Sequence, residues 1–108
     1  IDFDAKSQEF AELESHFDAA RSLTYQAASR WQLGRDILKI ASQAKLRATE
    51  AAFAITEANK RVHGGVGVTK DYRAHHLVDD IQVTIIGEGE NSVQRAILGS
   101  MLKNQYSR

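Results

Sequence analysis

Neither cysteine nor proline occurs among the 108 residues. Without thiols, disulfides and thiolate-held metals are excluded, and the redox compartment stays undetermined. Without proline, helix ends fall to glycine and polar caps. An excess of one charge is also missing, because 14 Lys plus Arg face 14 Asp plus Glu. A neutral chain lacks the basic excess that binding to a phosphate backbone uses, so nucleic acid is not the expected partner. No apolar run approaches the ~20 residues that cross a bilayer. Repeats and low-complexity tracts are absent too. What remains is an ordinary globular mixture, 43% hydrophobic and 26% charged. It is too apolar for disorder and sized for one small domain or part of a larger one. The opening "IDFDAKSQEF" lies inside a helical pattern, with no initiator Met and no signal-peptide pattern. A piece of a longer protein is therefore expected.

Apolar spacing carries most of the structural information. Residues 5–31 read as a helix, with Phe10, Leu13, Phe17, Ala20 and Trp31 on roughly one face. Gly34 ends that pattern and Asp36 can cap the next helix. In the second segment Ile37, Ala41, Ala44, Ala48, Ala51, Ile55, Ala58 and Val62 recur in steps of four and three. A long stripe made mostly of alanine lets another helix approach closely, as in a tight bundle. This helix is expected to end at Gly64-Gly65. "RAHHLVDDIQ" reads as a short helix. Val83–Ile86 could pass for a strand but has no strand to pair with. A last helix is expected from near Asn91, where Asn91 and Gln94 have capping-box spacing. The expected fold class is all-α, an up-down helical bundle. The alanine stripe calls for a neighbour that these helices do not obviously supply, either another helix or another subunit.

Three motifs bear on chemistry. "HGGVGV" lacks the strand before it and the helix after it that a dinucleotide fingerprint requires, so it reads as a helix end and turn. His75 with Asp79, and His76 with Asp80, stand at i, i+4 spacing. A metal site is one reading. Adjacent histidines point to different helix faces, however, so a solvated polar helix is the expected one, and no metal is predicted. Glu88 lies between Gly87 and Gly89, just before the last helix. That placement suits a base that must touch a substrate, and equally an exposed turn.

Taken together, these segments resemble the C-terminal helical domain of the acyl-CoA dehydrogenases. "DAARSLTY" is similar to the family's "EAARLLTY", "VHGGVGVTKDY" to "IHGGYGYTKDY", and "IIGEGENSVQRAIL" to "QIYEGTSEIQRLVI". The resemblance covers essentially the whole chain in order, and Arg61 to Gln94 match without a gap. It implies a four-helix bundle of which this chain begins just after the first helix. By match to "YEGT", it implies that Glu88 is the base removing the α-proton of an acyl-CoA while a β-hydride leaves to FAD. It further implies that the backbone N–H of Glu88 helps hold the thioester oxygen, and that Gly87 and Gly89 face the substrate. Arg61, Val62, His63, Gly64 and Gly65 would reach the FAD of a neighbouring subunit, and Glu90, Asn91 and Ser92 would also contact the flavin. A homo-oligomer (dimer or tetramer) and an electron-transfer flavoprotein as acceptor follow from the same resemblance; the compartment is undetermined, the cytoplasm for a bacterial source and the mitochondrial matrix for a eukaryotic one.

Departures from the family pattern are specific. Arg61 replaces a glutamine, Glu90 a threonine and Asp79 an arginine, while residues 73–76 read "RAHH" where the family has "PVER". Gly87 replaces an aromatic residue, which would widen the acyl pocket. Isovaleryl-CoA dehydrogenases also carry glycine there, pointing to a branched or bulky acyl group. In that subgroup the base sits on another helix, whereas here Glu88 is present. Acyl-CoA oxidases, flavin monooxygenases and a non-catalytic helical oligomerisation module are the alternatives on the same scaffold. The glutamate speaks against the monooxygenases.

Overall fold

Glycine and one aspartate set the first chain reversal. At its end α1 (Phe3–Gln32) closes on Gly34, whose φ of 70° is left-handed. The Gly34 N–H reaches Trp31 O at 3.0 Å and the Arg35 N–H reaches Arg30 O at 3.0 Å. These are the paired bonds of a Schellman end, which satisfy carbonyls the helix leaves open. Asp36 then accepts the Leu38 N–H at 3.1 Å and starts α2 (Leu38–Val62) as expected of a side-chain cap. The computed structural model describes residues 3–62 and 73–107, with α3 (Arg73–Ile86) and α4 (Asn91–Tyr106) completing the set. No strand occurs among the described residues. Val83–Ile86 belong to α3, because an isolated β-branched run has no ladder to join. Among the described residues no helix is long and apolar enough to cross a membrane.

α2 is the hub, and the other three helices pack principally against it. Glu9 near the start of α1 pairs with Arg61 at the end of α2 at 2.9 Å, so the two run antiparallel. α3 returns antiparallel to α2, and α4 runs back alongside it, tied by an Arg95–Glu50 ion pair. The all-α, up-down expectation holds.

The expectation about the alanine stripe needs correction. Ala44, Ala51 and Ala58 are buried within this chain, and Ala41, Ala48 and Ile55 are half-buried. Ala48 shares a hollow with Phe17, Ala20 and Thr24 of α1, and Ile55 shares another with Phe10 and Leu13. The neighbour is α1 itself, which comes close because alanine presents nothing beyond Cβ. Uncovered apolar surface remains on α1, where Phe17, Tyr25 and Trp31 are 46%, 68% and 70% exposed, and at the end of the stripe, where Val62 is 54% exposed. Among the described residues α1 packs principally on α2, which leaves that flank open. Ala58 is the most buried member of the stripe, 1% exposed. Ala58→Leu is expected to destabilise the domain by about 1–3 kcal/mol through overpacking, measured as a shift in the urea midpoint.

Candidate functional site

The turn between α3 and α4 is built from Gly87, Glu88 and Gly89, the last two with positive φ. The Gly87 N–H donates to Val83 O at 2.8 Å and finishes α3. Glu88 follows with φ 55°, and Gly89 with φ 90°. Glu88 is the one described non-glycine residue with positive φ. For a residue with a Cβ this region costs on the order of 1–2 kcal/mol. Two successive left-handed residues reverse the chain at once and leave Glu88 exposed at the apex. No described residue makes a hydrogen bond or ion pair with its carboxylate. Gly89 suits its positive φ, and a Cβ there would lie 2.5 Å from Gln94 Nε2 and so push that amide aside.

Beneath this turn lies a polar cluster anchored on α2. Lys45 Nζ donates to Ile85 O at 3.0 Å, Gly89 O at 2.8 Å and Asn91 Oδ1 at 2.6 Å. An ammonium has three donors and no acceptor, so these three bonds use its whole capacity. Asn91 is 3% exposed, and its Nδ2 donates to Thr49 Oγ1 at 2.9 Å. The Thr49 hydroxyl in turn donates to Lys45 O at 2.8 Å, one turn back on α2. Gln94 Nε2 adds a bond to Gly89 O at 3.1 Å. The capping-box expectation for Asn91 and Gln94 is therefore overturned. Glu90 occupies the N-cap position without a side-chain cap, and its own C=O accepts the Val93 and Gln94 N–H groups. Both residues are buried where α4 packs on α2, and there Asn91 meets Lys45 and Thr49 while Gln94 reaches back to Gly89 O.

The other predicted residues are distributed as follows. Glu90 and Ser92 are exposed beside Glu88 and hydrogen-bonded to each other. Asn91 is adjacent, but both ends of its amide are engaged within the chain. Gly87 is half-buried, and a Cβ there would meet Val83 O at 3.1 Å, on α3 itself. Arg61 and Val62 sit at the far end of α2. Sixteen residues separate Arg61 from Lys45, a rise of about 24 Å, so the structure does not gather them with Glu88. His63, Gly64 and Gly65 lie outside the described residues, as does the side chain of His75. No cluster able to hold a metal occurs among the described residues. His16 is exposed, 3.9 Å from Glu12. Sequence reasoning missed Lys45 and Thr49. Their signal was a polar pair one turn apart on a flank of α2 away from the alanine stripe.

Comparison with known proteins matches residues 1–103 to the family described as acyl-CoA dehydrogenase, C-terminal domain. The chain is 37% identical over 100 residues to a 3-(aryl)acrylate reductase of Clostridium sporogenes, covering 93% of this chain and 26% of that protein. It is 34% identical over 106 residues to the mitochondrial short/branched chain specific acyl-CoA dehydrogenase of Bos taurus, covering 98% and 24% respectively. Among solved structures, a chain from work on the electron transferring flavoprotein of Acidaminococcus fermentans superimposes with a TM-score of 0.88 at 32% identity. The match covers 94% of this chain and 27% of that one. The chain thus spans about a quarter of the length of the relatives it matches.

Proposed function

Because the chain belongs to the acyl-CoA dehydrogenase family through its C-terminal domain, we propose that it completes the site of an FAD-dependent acyl-CoA dehydrogenase with Glu88 as the α-proton base. The observation that carries this reading is the Glu88 turn, where an exposed carboxylate with no described partner is held at positive φ between glycines. A salt-bridged carboxylate would be a weaker base, and a base must come within hydrogen-bond reach of its proton. In the reaction the Glu88 carboxylate takes the α-proton. The electron pair left on the α-carbon forms the new double bond as a hydride departs from the β-carbon. The Glu88 N–H would hold the thioester oxygen while charge builds there. Gly87 and Gly89 let the acyl chain and thioester lie close to the backbone.

When bound, FAD supplies the acceptor for that hydride. The donor set suits the cofactor unevenly. Arg61 offers a guanidinium at an exposed helix end, where it would exchange Glu9 for a phosphate. Val62, His63, Gly64 and Gly65 would adjoin it across a subunit boundary of a homo-oligomer, since Arg61 and Glu88 lie near opposite ends of α2. At α4 the carboxylate of Glu90 already faces the positive end of the helix. Cofactor contact at Glu90, Asn91 and Ser92 would therefore run through backbone and the Ser92 hydroxyl rather than through a phosphate.

The likeness to an arylacrylate reductase favours a second reading, the same chemistry in reverse, with protonated Glu88 delivering a proton to the α-carbon of an enoyl thioester. Gly87 and the short/branched-chain relative favour a branched acyl group. The test is anaerobic titration of the complete protein with branched acyl-CoA thioesters. Bleaching of a bound flavin with release of the enoyl-CoA is the expected result, with electrons then accepted by an electron-transfer flavoprotein. Rapid reoxidation by oxygen would mark an oxidase. Preference for enoyl-CoA plus reductant would mark the reverse direction. A flavin-free protein would leave only a helical oligomerisation module.

A further inference from the structure

We propose that Lys45 is a positioning residue that locks the Glu88 turn into the shape proton abstraction requires. The inference rests on the reading of Glu88 as the base. Its observation is the placing of the three Lys45 bonds. Ile85 O lies three residues before Glu88, Gly89 O one residue after it, and Asn91 Oδ1 three residues after it. One ammonium on a different helix therefore grips the chain on both sides of the base. The bracket has a task, because Glu88 and Gly89 hold a backbone conformation that Glu88 would leave if unrestrained. The bond from Gln94 to Gly89 O secures only the α4 side. Lys45 joins the end of α3, the turn and the start of α4 to the hub helix at once, whereas the Asn91–Thr49 bond ties only the start of α4. Its stem leaves α2 between buried Ala44 and Leu46, so the anchor itself is held by the core. A saturated ammonium does not compete for the substrate or the α-proton; it acts through where it holds Glu88.

A base displaced by about 1 Å can lose on the order of 10²-fold in rate. The experiment uses the complete, flavin-loaded protein under anaerobic conditions, with an acyl-CoA and its α-deuterated form. Rates of flavin bleaching are read per loaded site. Lys45→Met removes all three donors. Lys45→Arg keeps the charge, but its planar fork cannot serve three converging acceptors, and it remains informative if the Met variant loses its flavin. Both are expected to bleach about 10–100-fold more slowly at saturating substrate, with a larger α-deuterium isotope effect and half-saturation within about threefold. Thr49→Val breaks the Asn91–Thr49 bond and removes no acceptor from the Lys45 ammonium, so it is expected to stay within about threefold of the parent. A purely structural role would lower bleaching amplitude in all three variants and leave rate and isotope effect alone. That result, or Lys45 variants bleaching at the parent rate while Glu88→Gln does not bleach, overturns the inference. Bleaching that persists in Glu88→Gln instead refutes the base assignment.

Discussion

Glu88→Gln in the complete protein is expected to slow acyl-CoA-dependent flavin bleaching by about 10²–10⁴-fold, the range for removing a positioned general base. At 1.36 kcal/mol per tenfold, that is roughly 3–5 kcal/mol of lost transition-state stabilisation. The loss should fall on the saturated rate rather than on substrate binding. Glutamine matches glutamate in shape, and the backbone N–H of residue 88 stays where it was. Folding should be untouched as well. The Glu88 side chain is exposed with no partner among the described residues, and such substitutions usually change stability by under about 0.5 kcal/mol. A variant with full flavin content, unchanged thermal unfolding and a collapsed bleaching rate is the combined signature. A rate within tenfold of the parent would refute the base assignment.

The opposite pattern is expected at Asn91, beneath the turn. Asn91→Ala removes an acceptor from the Lys45 ammonium and a donor from Thr49, at a site only 3% exposed. Hydrogen bonds to a charged group contribute about 1.5–3 kcal/mol and neutral ones about 0.5–1.5 kcal/mol. Lys45 is half-buried and can recover part of its loss by reaching water. The net cost is therefore about 3 kcal/mol, roughly 10–20 °C in the melting temperature of a domain this size. Asn91→Asp should recover most of that cost, since it returns an acceptor to Lys45 and lacks only the bond to Thr49. Urea unfolding of the domain measures both. Equal destabilisation by Ala and Asp would mean that the Lys45 bond contributes little.

Much of the fold was legible because local chemistry and tertiary structure agree. Gly34 and Asp36 end one helix and begin the next for reasons confined to a few residues, a left-handed φ and a carboxylate reaching an open N–H. The alanine stripe marked α2 as the helix others pack on. Its partner is not legible there, because spacing records which face is apolar and not which segment covers it. Asn91 and Gln94 show the same limit at the site. Their spacing fits a capping box, but Lys45, 46 residues away in sequence, takes the Asn91 side chain.

By itself, then, the sequence determined an all-α chain, the helix boundaries at Gly34, Asp36 and Asn91, and the Glu88 turn between glycines. Each follows from residues within one or two helical turns of each other, where backbone freedom and hydrogen-bonding capacity act directly. Only the tertiary structure decided that α1 covers the alanine stripe, that Arg61 and Glu88 stand far apart along α2, and that one lysine brackets the turn. Those depend on which distant groups meet when helices pack. A half-buried ammonium takes whichever acceptors the packing delivers, and no local pattern records which those are.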